Sequence, residues 1–481
     1  MRIADFVGKQ VAIWGFGREG RAALAALHAR LPDLPVTLFC SEAEASALDE
    51  EVSQLPPLPP PPSLSPQRTM ESGGSGFSRD ALTIVAGHPT AASLSAFDIV
   101  IKSPGISAYR AEIFEAQHNG THFTSGTALW FAEHPEARVI AVTGTKGKST
   151  ISALIAHLLR SLGRRVALAG NIGLPLLELL DPLQEPDWWV VELSSFQTRE
   201  ASAVEVGVIN NVYEEHLDWH GSRERYADDK LALAAVSKVL VMNALQPELQ
   251  LRLHAHPQRV AFGDASGWHL NDHSIWCGMQ RVVDLVSSPL PGPHNALNLC
   301  AALAAIEAAG EDAVACAAAV ARFHPLPHRM QTLGERDGLS FVDDSIATTP
   351  QATLEALASF RGRAITVLVG GHDRGLDWRA FAQAVHAIPP HAIVTMGANG
   401  PRIYDMLRAE GGEYRLESVL TLADAVAAAR AATHAGGVVL MSPGAPSFDQ
   451  FKDYAERGRV FANLAGFDGD AIGSIEGLGI A

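Results

Sequence analysis

Short, wholly apolar runs recur along this chain, each closed by glycine or by polar residues, and most lead into a stretch with helical spacing. Runs of that kind read as strands buried on both faces, and their alternation with helices predicts doubly wound parallel sheets. A strand over 10–14, a glycine turn over 15–20, a helix over 21–29 and a strand over 36–40 make an opening βαβ unit. The run 139–142, Val-Ile-Ala-Val, precedes a Gly-rich loop and a helix predicted over 151–162. Strands at 166–168, 188–192, 204–211 and 239–243 continue this second unit, with short strand-like pieces from 262 to 286. An Ala-rich helix follows over 296–309, stopped by Gly310. After His328 the alternation restarts, with strands at 340–342, 365–370, 392–396 and 437–442 and helices at 351–359, 378–387 and 422–432. The expected fold is α/β in three domains. These are an N-terminal Rossmann-like domain over 1–137, a central P-loop ATPase-like mononucleotide-binding domain over 138–323, and a C-terminal Rossmann-like domain over 324–481. No internal repeat of fixed period is visible.

Composition narrows the picture. A length of 481 residues gives room for about three domains, and 47% hydrophobic content is enough to fill their cores. The net charge of −16 repels nucleic acid. Cys40, Cys277, Cys300 and Cys316 form no CxxC pair, so neither a zinc knuckle nor a disulfide framework is indicated. No charged-then-apolar leader is present, and no apolar run reaches the ~18 residues of a membrane span. A cytoplasmic protein without nucleic-acid or membrane partners is expected. The stretch 55–77, rich in Pro, Ser and Gly, reads as an extended, solvated insertion rather than a packed element.

The loop after 139–142 carries the strongest chemistry: Gly144, Thr145, Lys146, Gly147, Lys148, Ser149, Thr150. A strand, a glycine loop and a helix N-terminus aim backbone N–H groups at one point, where a polyphosphate can sit. Lys148 would lie against the β- and γ-phosphates, and Ser149 would offer its hydroxyl to Mg²⁺. Only Thr145 and Lys146 separate Gly144 from Gly147, fewer than the four residues of the usual motif.

Other clusters stand at strand ends. Glu192 ends the run 188–191, where a carboxylate faces the ligand crevice and can share Mg²⁺ with Ser149; capping the next helix is the other reading. The polar stretch 210–221 offers His216 and Asp218 to a metal or to a substrate carboxylate. Lys230, on the residues alone, reads as a solvated lysine paired with its Asp neighbours. The segment 292–298 offers asparagine amides, Asn298 among them, that suit an adenine edge or a helix N-cap. In the last third, three strand ends are expected on one rim: Asp343-Asp344-Ser345, 370–375 with Arg374, and 442–449 with Ser447. Arg374 offers a fork for a carboxylate, and Thr348 and Ser447 offer hydroxyls. At the N-terminus, Gly15, Gly17 and Gly20 match a dinucleotide fingerprint, but Cys40 and Ser41 stand where its acidic residue belongs. An NAD(H) dehydrogenase is disfavoured on that ground.

Taken together, the phosphate loop, Gly170-Asn171-Ile172-Gly173, Glu192-Leu193-Ser194-Ser195-Phe196-Gln197, Glu215-His216-Leu217-Asp218, His294-Asn295 with Asn298, His328-Arg329 and 442–451 resemble the Mur ligases. These are ATP-dependent amide-forming enzymes of peptidoglycan precursor synthesis, and the likeness runs along the whole chain outside the proline insertion. The glutamate-adding branch, acting on UDP-N-acetylmuramoyl-L-alanine, is the most similar. The resemblance implies an acyl phosphate that glutamate's amine attacks. It implies one Mg²⁺ on Ser149 and Glu192, and a second on His216 and a carbamylated Lys230. It further implies Asn298, His328, Arg329 and Asp344 around adenine and ribose. The sugar nucleotide would fall to Gly17, Arg18, Glu19, Ser41, Ser103, Pro104, Gly105 and Asn171. Glutamate would fall to Thr348, Arg374, Ser447 and Tyr454. Ile346 stands where D-glutamate ligases usually carry lysine, and Tyr454 where phenylalanine is common. The stretches 344–350, 370–378 and 395–400 resemble the L-glutamate-adding branch, which works with a separate downstream epimerase. A monomer adding L-glutamate is the favoured expectation. The alternatives are a D-glutamate-adding ligase, a folate-polyglutamating ligase and a non-catalytic nucleotide-binding protein.

Overall fold

Strands apolar on both faces pair in parallel here, with helices covering them. The structure is a computed structural model and describes residues 1–42, 44–46, 48, 82–286, 288–290, 292–360 and 362–481. The proline-rich insertion expected over 55–77 lies outside the described residues.

Strands β1 (Val11–Trp14), β2 (Val36–Cys40), β3 (Leu82–Ala86), β4 (Ile99–Lys102) and β5 (His122–Thr124) form an all-parallel sheet in the order β3-β2-β1-β4-β5. The helix Arg18–Arg30 follows β1, with Gly17 as its N-cap.

A second sheet has as its parallel core β6 (Val139–Thr143), β7 (Val166–Gly170), β8 (Trp188–Glu192), β9 (Val204–Ile209), β10 (Ser237–Asn243) and β11 (Arg259–Phe262). Its order is β11-β10-β9-β6-β8-β7, extended on one side by β12 (Trp268–Asn271), β13 (Ser274–Cys277) and β14 (Gln280–Asp284). Strand order switches beside β6, the kind of point at which open α/β sheets bind ligands outside the carboxyl ends of their strands. Every residue of β6 and β8 is buried.

The third sheet runs β15 (Gln331–Arg336), β16 (Leu339–Asp343), β20 (Val438–Met441), β17 (Ile365–Val369), β18 (Ala392–Thr395) and β19 (Arg415–Ser418). All its pairings are parallel except β15 with β16. A last strand, β21 (Gly479–Ile480), pairs antiparallel with Leu168 and Ala167 on the far edge of the second sheet. Accordingly Met1–Val286, Ala296–Val320 and Gly477–Ala481 form one compact unit, and Ser287–Asn295 with Ala321–Glu476 form another.

The α/β fold with parallel sheets is as the hydrophobic pattern foretold. Several elements differ. The helix after the phosphate loop begins at Lys148 rather than 151, because Gly147 adopts a left-handed φ of 82° and turns the chain straight into the first helical turn. Gly400–Glu410, β19 and Tyr454–Leu464 were not foreseen.

Candidate active site

The loop above β6 is braced from below by the next strand's polar end. The Asn211 side-chain oxygen accepts from the Lys146 backbone N–H at 2.8 Å, and Asn210 Nδ2 donates to the Lys146 carbonyl at 3.0 Å. The Tyr213 N–H donates to Thr145 Oγ1 at 2.9 Å, which also lies 2.7 Å from the Tyr226 hydroxyl. So the polar stretch after β9 fixes the loop's shape before any ligand arrives. Lys148 Nζ meanwhile donates to the Thr145 carbonyl at 3.1 Å. Ser149 and Thr150 fall in the first turn of the helix Lys148–Ser161, where N–H groups lack intrahelical partners.

Glu192 is 1% exposed at the end of β8. Its Oε1 accepts from Asn171 Nδ2 at 2.7 Å, while its Oε2 is buried with no hydrogen-bond partner. The helix-capping alternative for Glu192 finds no counterpart in these contacts. A buried carboxylate oxygen without a donor is costly unless a cation meets it. That orphan oxygen is what a hard cation's site requires. Asn171, assigned by resemblance to the sugar nucleotide, also positions Glu192.

Lys230 overturns the solvated reading. It is 2% exposed on the helix Arg223–Val236, and its Nζ donates to the Gly144 carbonyl at 3.0 Å. Burial pushes its amine well below the usual lysine range, and the Lys148 ammonium pushes it further. A lowered pKa supplies the neutral amine that carbamate formation needs. Glu192 acts on the same amine in the opposite sense, so the two groups are electrostatic neighbours. His216 is the half-exposed N-cap of the turn Leu217–His220, with φ of 55°. Partial burial lowers its pKa, with Lys148 and Lys230 adding to the effect against Glu215 and Asp218, which favours the neutral imidazole that can ligate. Asp218 is exposed. Among the described residues, no three His, Cys, Asp or Glu side chains are grouped to hold a metal. The candidate donor set is instead mixed: a hydroxyl, a carboxylate, an imidazole and a lysine.

Asn298 is buried within the helix Pro293–Ala308, a turn past its start and not at its cap. Its Oδ1 accepts from Asn210 Nδ2 at 3.3 Å and crowds Gly147, where a Cβ would approach it to 2.4 Å. Among the sugar-nucleotide residues, Ser103 Oγ donates to the Gly15 carbonyl at 3.1 Å, and the Pro104 carbonyl accepts from Trp219 Nε1 at 3.0 Å. Gly105 has open space where a side chain would be. Arg18 and Gly17 are exposed at the start of their helix. Burial beside Glu178 raises Glu19 to about 7. Ser41 Oγ donates to Glu44 at 2.8 Å.

In the other unit, the three foreseen strand ends do share one rim, since β16, β20 and β17 are neighbours. The Asp344 carboxylate accepts from Ser442 Oγ at 2.7 Å and from the Met330 N–H at 3.2 Å; burial lifts it to about 7. His328 has a left-handed φ of 60° and pairs with Asp343 at 2.7 Å, while Arg329 stands close enough to act on Asp344's charge. Arg374 and Tyr454 are exposed, Thr348 is half-buried and Ser447 is buried. Sequence reasoning missed Arg457. It is 1% exposed, and its guanidinium donates to Ser345 Oγ at 3.0 Å and to the Ser345 and Ala445 carbonyls at 2.8 Å and 3.0 Å, tying two rim segments together.

The pattern of the Mur ligase middle domain matches residues 142–306, and that of the Mur ligase glutamate ligase domain matches residues 328–444. The chain is 49% identical, over the full length of both, to the UDP-N-acetylmuramoyl-L-alanine–L-glutamate ligase of Xanthomonas axonopodis pv. citri. It is 38% identical to the enzyme of that name from a Micromonospora strain, covering 96% of this chain and 97% of the relative. The solved UDP-N-acetylmuramate-alanine ligase of Thermotoga maritima aligns over 95% of this chain and 99% of its own, with a TM-score of 0.60 at 20% identity. That last likeness is one of fold.

Proposed function

The chain belongs to the Mur ligase family, and we propose that it joins L-glutamate to UDP-N-acetylmuramoyl-L-alanine with ATP, through an acyl phosphate, in peptidoglycan precursor synthesis. The observation that carries the chemistry is the loop of Gly144–Thr150 with the depressed amine of Lys230 held on its Gly144 carbonyl, beside a strand that ends in the orphan oxygen of Glu192. The choice of L-glutamate rests on full-length kinship with enzymes named for it, and on Ile346 at the lysine position of the D-glutamate branch.

Residues 1–137 would take the sugar nucleotide, 138–323 ATP and 324–481 glutamate. Loop N–H groups and Lys148 hold the triphosphate and neutralise charge moving to the bridging oxygen. The substrate's alanyl carboxylate attacks the γ-phosphorus and ADP leaves. Glutamate's neutral amine then attacks the acyl carbon, and phosphate departs as the amide forms. Two Mg²⁺, one on Ser149 and Glu192 and one on His216 and carbamylated Lys230, would draw charge from the phosphate oxygens. Asn171 orients Glu192, and the Gly144 carbonyl marks where Lys230's head is held. Arg374, Thr348, Ser447 and Tyr454 would receive glutamate, and Asn298, His328, Arg329 and Asp344 the adenosine. Among the described residues, no helix is long and apolar enough to cross a membrane. A monomer acting in the cytoplasm, whose product passes to a separate epimerase, completes the reading.

The test supplies UDP-N-acetylmuramoyl-L-alanine, ATP and Mg²⁺ with each glutamate enantiomer and measures phosphate release. Release with L-glutamate is expected; release with D-glutamate alone would assign the other branch.

A further inference from the structure

A buried hydrogen-bond chain runs through the site without contributing a donor to it. Ser195 Oγ lies 3.0 Å from His220 Nε2, and His220 Nδ1 lies 2.7 Å from Asp229 Oδ2. The three residues are 5%, 0% and 2% exposed. The order resembles a hydrolytic Ser-His-Asp triad, but such burial leaves no path for an acyl substrate to the serine.

The donors can be assigned. The Tyr109 hydroxyl donates to Asp229 at 2.6 Å and 2.8 Å, and the Arg199 guanidinium donates to it as well. Asp229 is therefore an acceptor on every side, so His220 Nδ1 carries the proton and Nε2 accepts from Ser195. The segments tied this way are telling. Ser195 stands three positions after Glu192; His220 closes the short turn that His216 opens; Asp229 precedes Lys230 on its helix. Thr198 Oγ1 donates to the Asp229 carbonyl at 2.6 Å and fixes that helix further.

We propose that His220 is a positioning residue of the ligase: by joining Ser195 to Asp229 it sets the register of the three segments that present Glu192, His216 and Lys230. The inference rests on the ligase reading above. A neutral, doubly bonded imidazole suits this role because both its nitrogens must be satisfied in a dry interior. Asparagine keeps a donor toward Asp229 but cannot span to Ser195. Ser195→Ala breaks the same chain with a smaller change of shape.

The test reads Lys230 directly. Protein equilibrated with ¹³C-bicarbonate is examined by ¹³C NMR for a lysine carbamate signal, with Lys230→Ala as the blank. The kcat and KM values for the sugar nucleotide are measured in parallel. His220→Asn should lose most of the signal and ~100-fold in kcat with KM nearly unchanged, and Ser195→Ala ~10-fold, the range found when groups orienting metal ligands are removed. If His220→Asn does not fold, Ser195→Ala decides alone. Folded variants with full signal and kcat within twofold of wild type would overturn the proposal, as would a wild type with no carbamate signal. The NMR arm needs no substrate, so missing phosphate release with the stated substrates would count against the ligase reading alone.

Discussion

Two crevices lie at the carboxyl ends of parallel strands, and they are finished differently. Above β6 and β8 the hydrogen bonding is left incomplete: Glu192 has a bare oxygen, and the buried Lys230 amine rests on a carbonyl and a tyrosine ring while Glu192 and Glu215 act on it through charge alone. On the rim of β16, β20 and β17 most polar groups have partners within the chain, with His328 Nε2 and Arg457 Nη1 left buried without a hydrogen bond. Asp343 holds His328, Asp344 holds Ser442, and Asp373 holds Arg402. The first crevice, on the proposed function, serves a strongly charged ligand that comes and goes. The second is a more fully bonded frame with exposed donors such as Arg374 at its edge. On the proposed function, polyanion chemistry falls to the first and amino-acid recognition to the second.

The largest blow to this contrast is Lys148→Ala. Removing a charge clamp at the transferred phosphoryl group should cost kcat ~10³-fold or more in a phosphate-release assay. Activity near wild type would end the phosphate-loop assignment. Next comes Lys230→Ala, which should lose ~100-fold and regain rate with acetate or formate, since a small carboxylate can replace the carbamate oxygens. Arg374→Ala sharpens the other side. Loss of one charge-assisted pair should raise the KM for glutamate ~10–100-fold and leave that for ATP alone. A change confined to ATP would move amino-acid recognition off this rim.

A smaller effect is expected from pH. Asp344 keeps its proton to about 7 when folded, whereas its ordinary value is 3.8. Between those values the unfolded chain releases a proton that the folded chain retains, so stability falls as pH rises through that window. Asp344→Asn should therefore flatten the decline in melting temperature from pH 4 to 7 by a few degrees. An unchanged slope would show the carboxyl to be charged in the fold. Removal of 55–77 should have the least effect, leaving phosphate release close to wild type.

The sequence disclosed most strands of the second and third sheets, the phosphate loop and the shared C-terminal rim because each rests on local signals: apolar runs, glycine spacing, polar strand ends; β3, β4, β5 and β15 went unpredicted. It hid features set by distant packing. Lys230 looked solvated because its neighbours Asp228 and Asp229 are charged, yet the helix turns Lys230 inward to Gly144. The hydrogen bond from Asn171 to Glu192, a strand away, carries no local signal. The helix Tyr454–Leu464 was masked by Gly458, a poor helix former. Glycine is needed there because a Cβ would come within 2.1 Å of His328 Nδ1. The helix Gly400–Glu410 was masked by Gly400-Pro401, which reads as a turn but places proline in a first helical turn. In β19, Arg415 and Glu417 belong to an exposed edge and give no apolar signal.

The pairing of β21 with β7 bears on how the molecule is made. Arg160, in the helix beside β7, donates to the Gly477 carbonyl across 317 positions of sequence. During synthesis the flank of β7 must wait, uncovered, while an entire second unit emerges from the ribosome. Open strand flanks invite mispairing with other chains, and long-separated contacts form slowly. Release of the segment around Gly479 is thus the event that seals the second sheet, and shortening the chain before it should show first as aggregation during expression.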